Sequence, residues 1–421
     1  MDFTLVSKRR RWGYEEWYIR YPSACQEPDV PKAVGEVPAY LLVPGRVNPP
    51  GTEPAKTCHM SLPPLPAPPY PAMVCFHQCF NDCDVGKEAV VGKAVARPDQ
   101  AYGLELVRLG FVVLAPDNPQ CGERNLPGFR IEGERKGCET CGALQPEPEW
   151  CAVIRDGSRA VDVLQALDFV DAERVGAIGH SGGGFWTIHT MMQDARVKVG
   201  VASGFGLDAA QLKKIAPRPF IHLIGTLDED PETIQQIRAA HGEAAPLYAE
   251  RGASDELMLW TPDCSHVFLD DFKWEAYARL KCLFGMNGQA RLIPVGETLQ
   301  TVIDSVEWAW PWKTRPTLSA TGKEAVMAAP AELEALLYCV IVALTARPPY
   351  DSGLDIRVGS DDEAVEVSVE VQGGAWEPRA CQDHLLREAE MYAVFCSAGC
   401  ERLSSPEGIE LRLRFRETRP R

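Results

Sequence analysis

Gly179-His180-Ser181-Gly182-Gly183 fits G-x-S-x-G, a spacing that suits a serine nucleophile. Val175 to Ile178 before it is a short apolar run of strand character, and a helical pattern begins directly after. A serine on so tight a strand-to-helix turn is held in a strained backbone with its hydroxyl above the sheet. Glycines two positions to either side leave it room. The helix that starts there aims its first N–H groups and its positive dipole end at the same point. The bare motif also describes a glycine-rich turn with a bystander serine, so its chemical sense depends on partners. A hydroxyl attacks a carbonyl only when a histidine takes its proton and an acid holds that histidine in the right tautomer.

Those partners should follow the serine, acid then histidine, at the ends of later strands. The chain has eight histidines. His59, His77 and His180 precede Ser181, His189 and His241 fall in helical stretches, His222 sits mid-strand, and His384 lies far downstream. That leaves His266, on the loop just past a strand, in Thr261-Pro262-Asp263-Cys264-Ser265-His266. For the acid, Pro219 to Ile224 is a buried strand running into Gly225-Thr226-Leu227-Asp228-Glu229-Asp230. Asp228 is the first carboxylate after the strand and the natural orienter, with Asp230, Glu229 and Asp263 as alternatives. An oxyanion hole needs two backbone N–H groups. One is Gly182, after the nucleophile; the other falls on the loop after Ala72 to Phe76, at Cys79, with Gln78 the alternative.

The elements around these residues alternate. Trp12 to Arg20 and Ala33 to Val43 read as strands, and ten prolines between Pro44 and Pro71 make a stiff surface loop. Asp99 to Leu109 is helical and Phe111 to Ala115 a strand; Asn118 to Pro148 has no clear period. Glu149 to Leu167 is helical, Arg174 to Ile178 is the central strand, and Val197 to Ser203, Pro219 to Gly225 and Glu256 to Trp260 are further strands. Asp208 to Ile215, Pro231 to Arg251 and Phe272 to Phe284 are helices. Strands and helices at this spacing predict a mostly parallel, doubly wound sheet over residues 1–288. Only about fifteen residues separate Ser203 from Pro219, too few for a cap, so the Asn118–Pro148 and proline-rich loops should wall the pocket.

Several motifs occur together in one order. They are Pro71-Ala-Met-Val-Cys-Phe-His-Gln78, Gly110-Phe-Val-Val-Leu-Ala-Pro-Asp117, Gly122-Glu-Arg124, Ile178-Gly-His-Ser-Gly-Gly-Gly184, Ile215-Ala-Pro-Arg-Pro219, Gly225-Thr-Leu-Asp228 and His266-Val-Phe268. With them, Pro71 to Gly285 resembles the dienelactone hydrolase and acetyl-xylan-esterase-like branch of the α/β-hydrolases. The resemblance implies an ester- or lactone-cleaving serine hydrolase with Ser181, Asp228 and His266 as its triad. His77-Gln78 departs from the fold's commoner His-Gly. Dienelactone hydrolases proper carry a cysteine where this chain has Ser181, so lactone specificity does not transfer.

Residues 289–322 read as a poorly periodic connector holding Trp308, Trp310 and Trp312, which should pack against a domain. Residues 323–421 read as a smaller α+β domain. Lys323 to Ala346 is a helical pattern interrupted at Pro330, Leu354 to Val358 and Ala364 to Val371 are strands, and Cys381 to Ala398 is a helix. Glu401 to Leu403 and Ile409 to Phe415 close the chain as strands, with Arg412, Arg414 and Arg416 on a wet face. This order weakly resembles a degenerate histidine-kinase-type ATPase domain. The asparagine expected on the first helix and the aspartate expected at Val371-Gln-Gly-Gly-Ala375 are absent. The resemblance therefore implies a domain without nucleotide, acting as a lid at the site mouth or as a homodimer contact.

A net charge of -16 disfavours nucleic acid and anionic membrane surfaces. Lys8-Arg9-Arg10-Arg11 is followed by Trp12-Gly-Tyr-Glu-Glu16 and not by an apolar run, so a cytoplasmic location is expected. Fifteen cysteines then read as reduced thiols. Cys75, Cys79 and Cys83, and Cys138 and Cys141 with Cys151, lack the paired knuckles of a structural zinc, so no metal or other cofactor is expected. The leading expectation is a serine esterase acting on a small-molecule ester. A peptidase or amidase with the same triad is one alternative, and a non-catalytic binding scaffold is another.

Overall fold

The computed structural model describes residues 3–11, 13–24, 35–45, 67–79, 85–94, 98–119, 121–125, 155–286, 291–309, 316–320, 324–328, 330–345, 354–360, 364–372, 380–396, 398–405 and 408–416. The described residues divide into two compact units, one ending at Leu280 and the other beginning at Lys281.

Nine strands build the first unit: β1 (Thr4–Arg11), β2 (Tyr14–Pro22), β3 (Glu36–Pro44), β4 (Tyr70–Phe76), β5 (Val112–Pro116), β6 (Val170–His180), β7 (Val197–Ser203), β8 (Phe220–Leu223) and β9 (Leu257–Trp260). Their order across the sheet is β1-β2-β3-β5-β4-β6-β7-β8-β9. The pairs β1–β2, β2–β3 and β3–β5 are antiparallel. From β5 onward every pair is parallel. Strands in the parallel part carry near-continuous apolar runs because helices cover both faces. Ala72, Met73, Val74 and Cys75 of β4 and Val112, Val113, Leu114 and Ala115 of β5 are all fully buried.

The crossover helices lie where the apolar spacing put them, with local chemistry setting their ends. Asp208 begins Ala209–Ile215 with a reciprocal capping box to Gln211. Asp230 caps Pro231–Glu250, and Pro231 occupies the first turn, where its missing N–H costs nothing. Between β7 and β8 only the short helix Ala209–Ile215 intervenes.

β1 has no counterpart in the sequence reading. Its Lys8–Arg11 run is an exposed edge strand, turned into β2 at Gly13, whose φ is 79°. Lys8 pairs with Glu15 at 2.8 Å and Arg11 with Glu16 at 3.1 Å, so the basic run is largely matched by its neighbour.

In the second unit the stretch read as a connector is structured instead. It holds β10 (Arg291–Pro294), the helix Val295–Ala309 and β11 (Thr317–Ser319). Val295, Leu299, Val302 and Ile303 are buried, a helical spacing that buries one face. β10 pairs with β12 (Ala325–Ala328), so the long helical pattern begins only at Pro330, in the helix Pro330–Thr345. Pro330 starts a helix and does not interrupt one, since proline fits the first turn. β13 (Leu354–Ser360), β14 (Ala364–Gln372), the helix Ala380–Phe395, β15 (Ala398–Ser405) and β16 (Gly408–Arg416) follow. The sheet order is β11-β13-β14-β16-β15. Leu411, Leu413 and Phe415 are buried, while Arg412 pairs with Glu410 at 3.0 Å and Glu366 at 3.4 Å on the opposite face.

The proline-rich loop between 46 and 66, the stretch 126–154, Cys83, Cys138, Cys141, Cys151, Trp310 and Trp312 lie outside the described residues, as do the side chains of Trp308 and His384.

Candidate active site

β6 ends at His180, and the helix Gly182–Gln193 begins two residues later, so Ser181 alone makes the turn. Its φ is 56° and ψ −121°, the single positive φ of a non-glycine among the described residues. Such a conformation strains an L-residue and persists only where its surroundings enforce it. Here the Ser181 N–H donates to the Ser203 carbonyl at 2.7 Å, tying the turn to the end of β7. Glycines supply the room. A Cβ on Gly179 would sit 2.3 Å from Gly183 backbone, and one on Gly183 would sit 2.0 Å from the Phe76 carbonyl oxygen.

His266 Nδ1 lies 2.7 Å from Asp228 Oδ2. A carboxylate only accepts, so the proton is on Nδ1 and Nε2 is left as an acceptor. None of the other candidate carboxylates bonds His266. Asp230 Oδ1 accepts the N–H groups of Glu232 and Thr233, each at 2.9 Å. Asp263 Oδ1 accepts the Thr226 hydroxyl. Glu229 makes no bond to His266; burial and then the neighbouring Asp228 charge raise its pKa. Asp228 is 11% exposed and His266 43% exposed, so the imidazole opens to solvent while its carboxylate is sheltered.

The serine turn and the histidine loop meet at Gly204, after β7. Its φ is +63°, and a Cβ there would come 2.8 Å from His180 Cε1 and 3.0 Å from His266 Cε1. The His180 ring lies 4.6 Å from the His266 ring, stacks on Phe268 at 5.6 Å, and its Nδ1 is 3.0 Å from the Ser203 hydroxyl. Asp228 is the hydrogen-bond partner of His266 among the described residues, and Ser181 Oγ is not bonded to it. Serine–histidine bonds commonly tighten only when substrate is bound.

Gly182 opens the helix behind Ser181, and Cys79, partly exposed, ends the His77-Gln78-Cys79 loop after β4. His77 clamps that loop. The Asn118 N–H donates to His77 Nε2 at 2.9 Å, which puts the proton on Nδ1, and Nδ1 donates to the Gln78 carbonyl at 2.6 Å. The Asn118 side-chain amide donates to the His77 carbonyl at 2.8 Å. Burial, opposed by Asp117, holds the His77 pKa below its ordinary value, which preserves the neutral tautomer this pattern needs.

Behind Asn118, Asp117 accepts Lys87 N–H at 2.8 Å, Lys87 Nζ at 2.7 Å and Glu123 N–H at 3.1 Å. Gly86 and Gly122 leave space for its carboxylate, since a Cβ on them would lie 2.1 and 2.5 Å from Asp117 Oδ1. The Gly122-Glu-Arg124 motif therefore anchors the loop after β5. Cys75 is buried in β4, and no group of three His, Cys, Asp or Glu side chains among the described residues is arranged to hold a metal. Two contributors escaped the sequence reading: Asn118 and Gly204. No local pattern marks them, because each acts on a segment distant along the chain.

Antiparallel strands leading into a parallel run, one crossing in the order β3-β5-β4-β6, and a strained serine after β6 define an α/β-hydrolase fold. No protein-family model matches the chain. Among curated proteins it is similar to "Putative hydrolase YtaP" of Bacillus subtilis (strain 168), 28% identical over a match covering 44% of this chain and 70% of that protein. Among solved structures, a glucuronoyl esterase from Solibacter usitatus superposes with a TM-score of 0.46 and 16% identity, covering 68% of this chain and 85% of its own. An acetyl xylan esterase from Paenibacillus sp. R4 gives 0.42 and 13%, covering 67% and 88%. The fold assignment rests on the chain's own strand order and serine turn.

Proposed function

We propose that this protein is a serine hydrolase that cleaves a small carboxylic ester through an acyl-enzyme. The observation that carries the reading is the conjunction of a strained Ser181 with the His266–Asp228 bond of 2.7 Å. Ser181 Oγ attacks the ester carbonyl while His266 Nε2 takes its proton. Asp228 keeps the Nδ1 proton in place and stabilises the imidazolium that forms. The oxyanion is met by the N–H groups of Gly182 and Cys79, and the helix Gly182–Gln193 points its positive end there. His266 returns the proton to the leaving alcohol, then activates water to release the acid. The short Ser203-to-Phe220 connection supports a pocket walled by loops and not by a cap. The naming of a 28% identical relative as a hydrolase is consistent with this chemistry.

A fluorophosphonate probe tests the nucleophile, and p-nitrophenyl esters of rising chain length beside the matching anilides test the substrate. Ser181 should label in the folded protein and Ser181→Ala should abolish both labelling and ester cleavage. An unlabelled folded protein overturns the reading; labelling with anilide cleavage alone makes the enzyme an amidase instead.

A further inference from the structure

A hydrogen bond at one edge of an imidazole fixes a point of the ring and not its plane. Asp228 holds His266 at Nδ1, so the ring can still turn about that bond unless something lies against its face. His266 is exposed, and solvent gives it no such support. Among the described residues, the ring that lies against it is His180, the residue just before the proposed nucleophile. The two centroids are 4.6 Å apart, with an interplanar angle of 45°.

His180 is itself held from several directions. It is fully buried, it stacks on Phe268 at 5.6 Å and 15°, and its Nδ1 lies 3.0 Å from the Ser203 hydroxyl. Stacking sets the plane of the His180 ring, and the Ser203 bond sets its rotation within that plane. The Ser203 carbonyl also accepts the Ser181 N–H at 2.7 Å, so one residue at the end of β7 anchors both the serine turn and the ring facing His266. Gly204 lets the two histidines meet, because a Cβ there would fall 2.8 Å from one ring and 3.0 Å from the other. Phe268 in turn packs on Tyr102 at 5.3 Å and on Phe272 at 5.8 Å. A close-packed stack of this kind leaves the His180 ring little freedom to move.

Resting on the reading of Ser181 as nucleophile, we propose that His180 is a positioning residue: its buried ring sets the plane of the His266 imidazole, and so where Nε2 meets the Ser181 hydroxyl. Being buried, His180 does not touch substrate, and it moves no proton in the reaction. Without its ring, His266 keeps the Asp228 bond but swings about it, carrying Nε2 away from the serine. A displacement of about 1 Å at reacting atoms is enough to lower a rate on the order of a hundredfold.

The test compares His180→Leu with His180→Phe in the full chain. Both lose the bond to Ser203 and fill the buried space with an apolar side chain, but only Phe restores a flat ring against His266. The readouts are kcat and KM on a p-nitrophenyl ester and the rate of fluorophosphonate labelling. For His180→Leu we expect kcat and labelling to fall together by at least about tenfold, with KM within about twofold. His180→Phe should recover at least about fivefold of that loss, which a general packing role for the residue would not require. His180→Leu at wild-type rates overturns this inference alone, as do Leu and Phe variants that are equally slow. A wild-type protein inert to the probe overturns the reading of the site, and this inference with it. If either variant is recovered only unfolded, His180→Gln takes its place, since it keeps a polar atom for Ser203 and has no ring. A several-fold loss of kcat at unchanged KM supports the proposal there, and an unchanged kcat overturns it.

Discussion

Asp228, Asp230 and Asp263 are the same chemical group, and their surroundings divide the work among them. Asp230 is spent on two helix N–H groups and Asp263 on the Thr226 hydroxyl, while Asp228 reaches His266 Nδ1. In the proposed mechanism Asp228→Asn would offer an amide N–H to Nδ1, forcing the proton onto Nε2, where it would face Ser181. We expect kcat to fall on the order of 10⁴-fold while the fold persists. Asp263→Ala and Asp230→Ala should leave kcat within about threefold, because neither touches the imidazole. A steady-state comparison of the three variants checks the assignment. Equal losses in Asp228→Asn and Asp263→Ala would refute it.

Elements meet at two tight places. The start of the serine helix presses on the end of β4 so closely that Gly183 has no room for a methyl group, which would fall 2.0 Å from backbone. Gly183→Ala must therefore push Phe76 or the helix aside, and backbone does not yield as a flexible side chain would. We expect kcat/KM to drop at least about a hundredfold while circular dichroism stays native. The second place lies between β8 and the helix Pro231–Glu250. His222 Nε2 donates to the Phe205 carbonyl at 2.8 Å, and His222 Nδ1 accepts from His241 Nε2 at 3.0 Å. Burial, then the neighbouring His241, lowers the His222 pKa from 6.5 to about 3, and burial takes His241 to about 4. Below pH 6.5 the unfolded chain takes up these protons while the folded one refuses them, so stability falls as pH drops toward 3. His222→Gln removes one such group. Thermal unfolding followed between pH 6.5 and 4 should then show a shallower slope, by up to about 1.4 kcal/mol per pH unit. An unchanged slope would mean His222 is already charged in the folded state.

At the scale of the whole molecule, an acidic chain of net charge -16 carries a second unit that is itself acidic, with 21 Asp and Glu against 14 Lys and Arg from residue 291 onward. Its elements from Pro330 onward follow the order helix, strand, strand, helix, strand, strand. The helix Pro330–Thr345 has no asparagine to hold magnesium, and the outward sheet face pairs its own charges, Arg357 with Asp355 at 2.6 Å and with Glu370 at 3.2 Å. We propose that this unit binds no nucleotide. Titration calorimetry of the full chain with ATP and magnesium should show no saturable heat at micromolar concentrations. Stoichiometric binding there would overturn the proposal.

The sequence by itself determined what is written in contiguous residues. The serine turn was legible because its strand, its glycines and its helix are adjacent, and local backbone sterics alone demand that order. The parallel sheet was legible because a buried strand and a covered helix differ in apolar period. The candidate partners Asp228 and His266 followed from strand ends. Other features were settled only in three dimensions. β1 was hidden because its side chains are nearly all exposed, so no apolar alternation announces it. The helix Val295–Ala309 carries a buried stripe that was legible in principle, yet tryptophans and prolines after it blurred its boundary. Which aspartate meets His266 and how His77 is locked by Asn118 both join segments tens of residues apart. Such contacts depend on how crossover connections bring strand ends together, and no period or propensity in one segment records the neighbour it will meet.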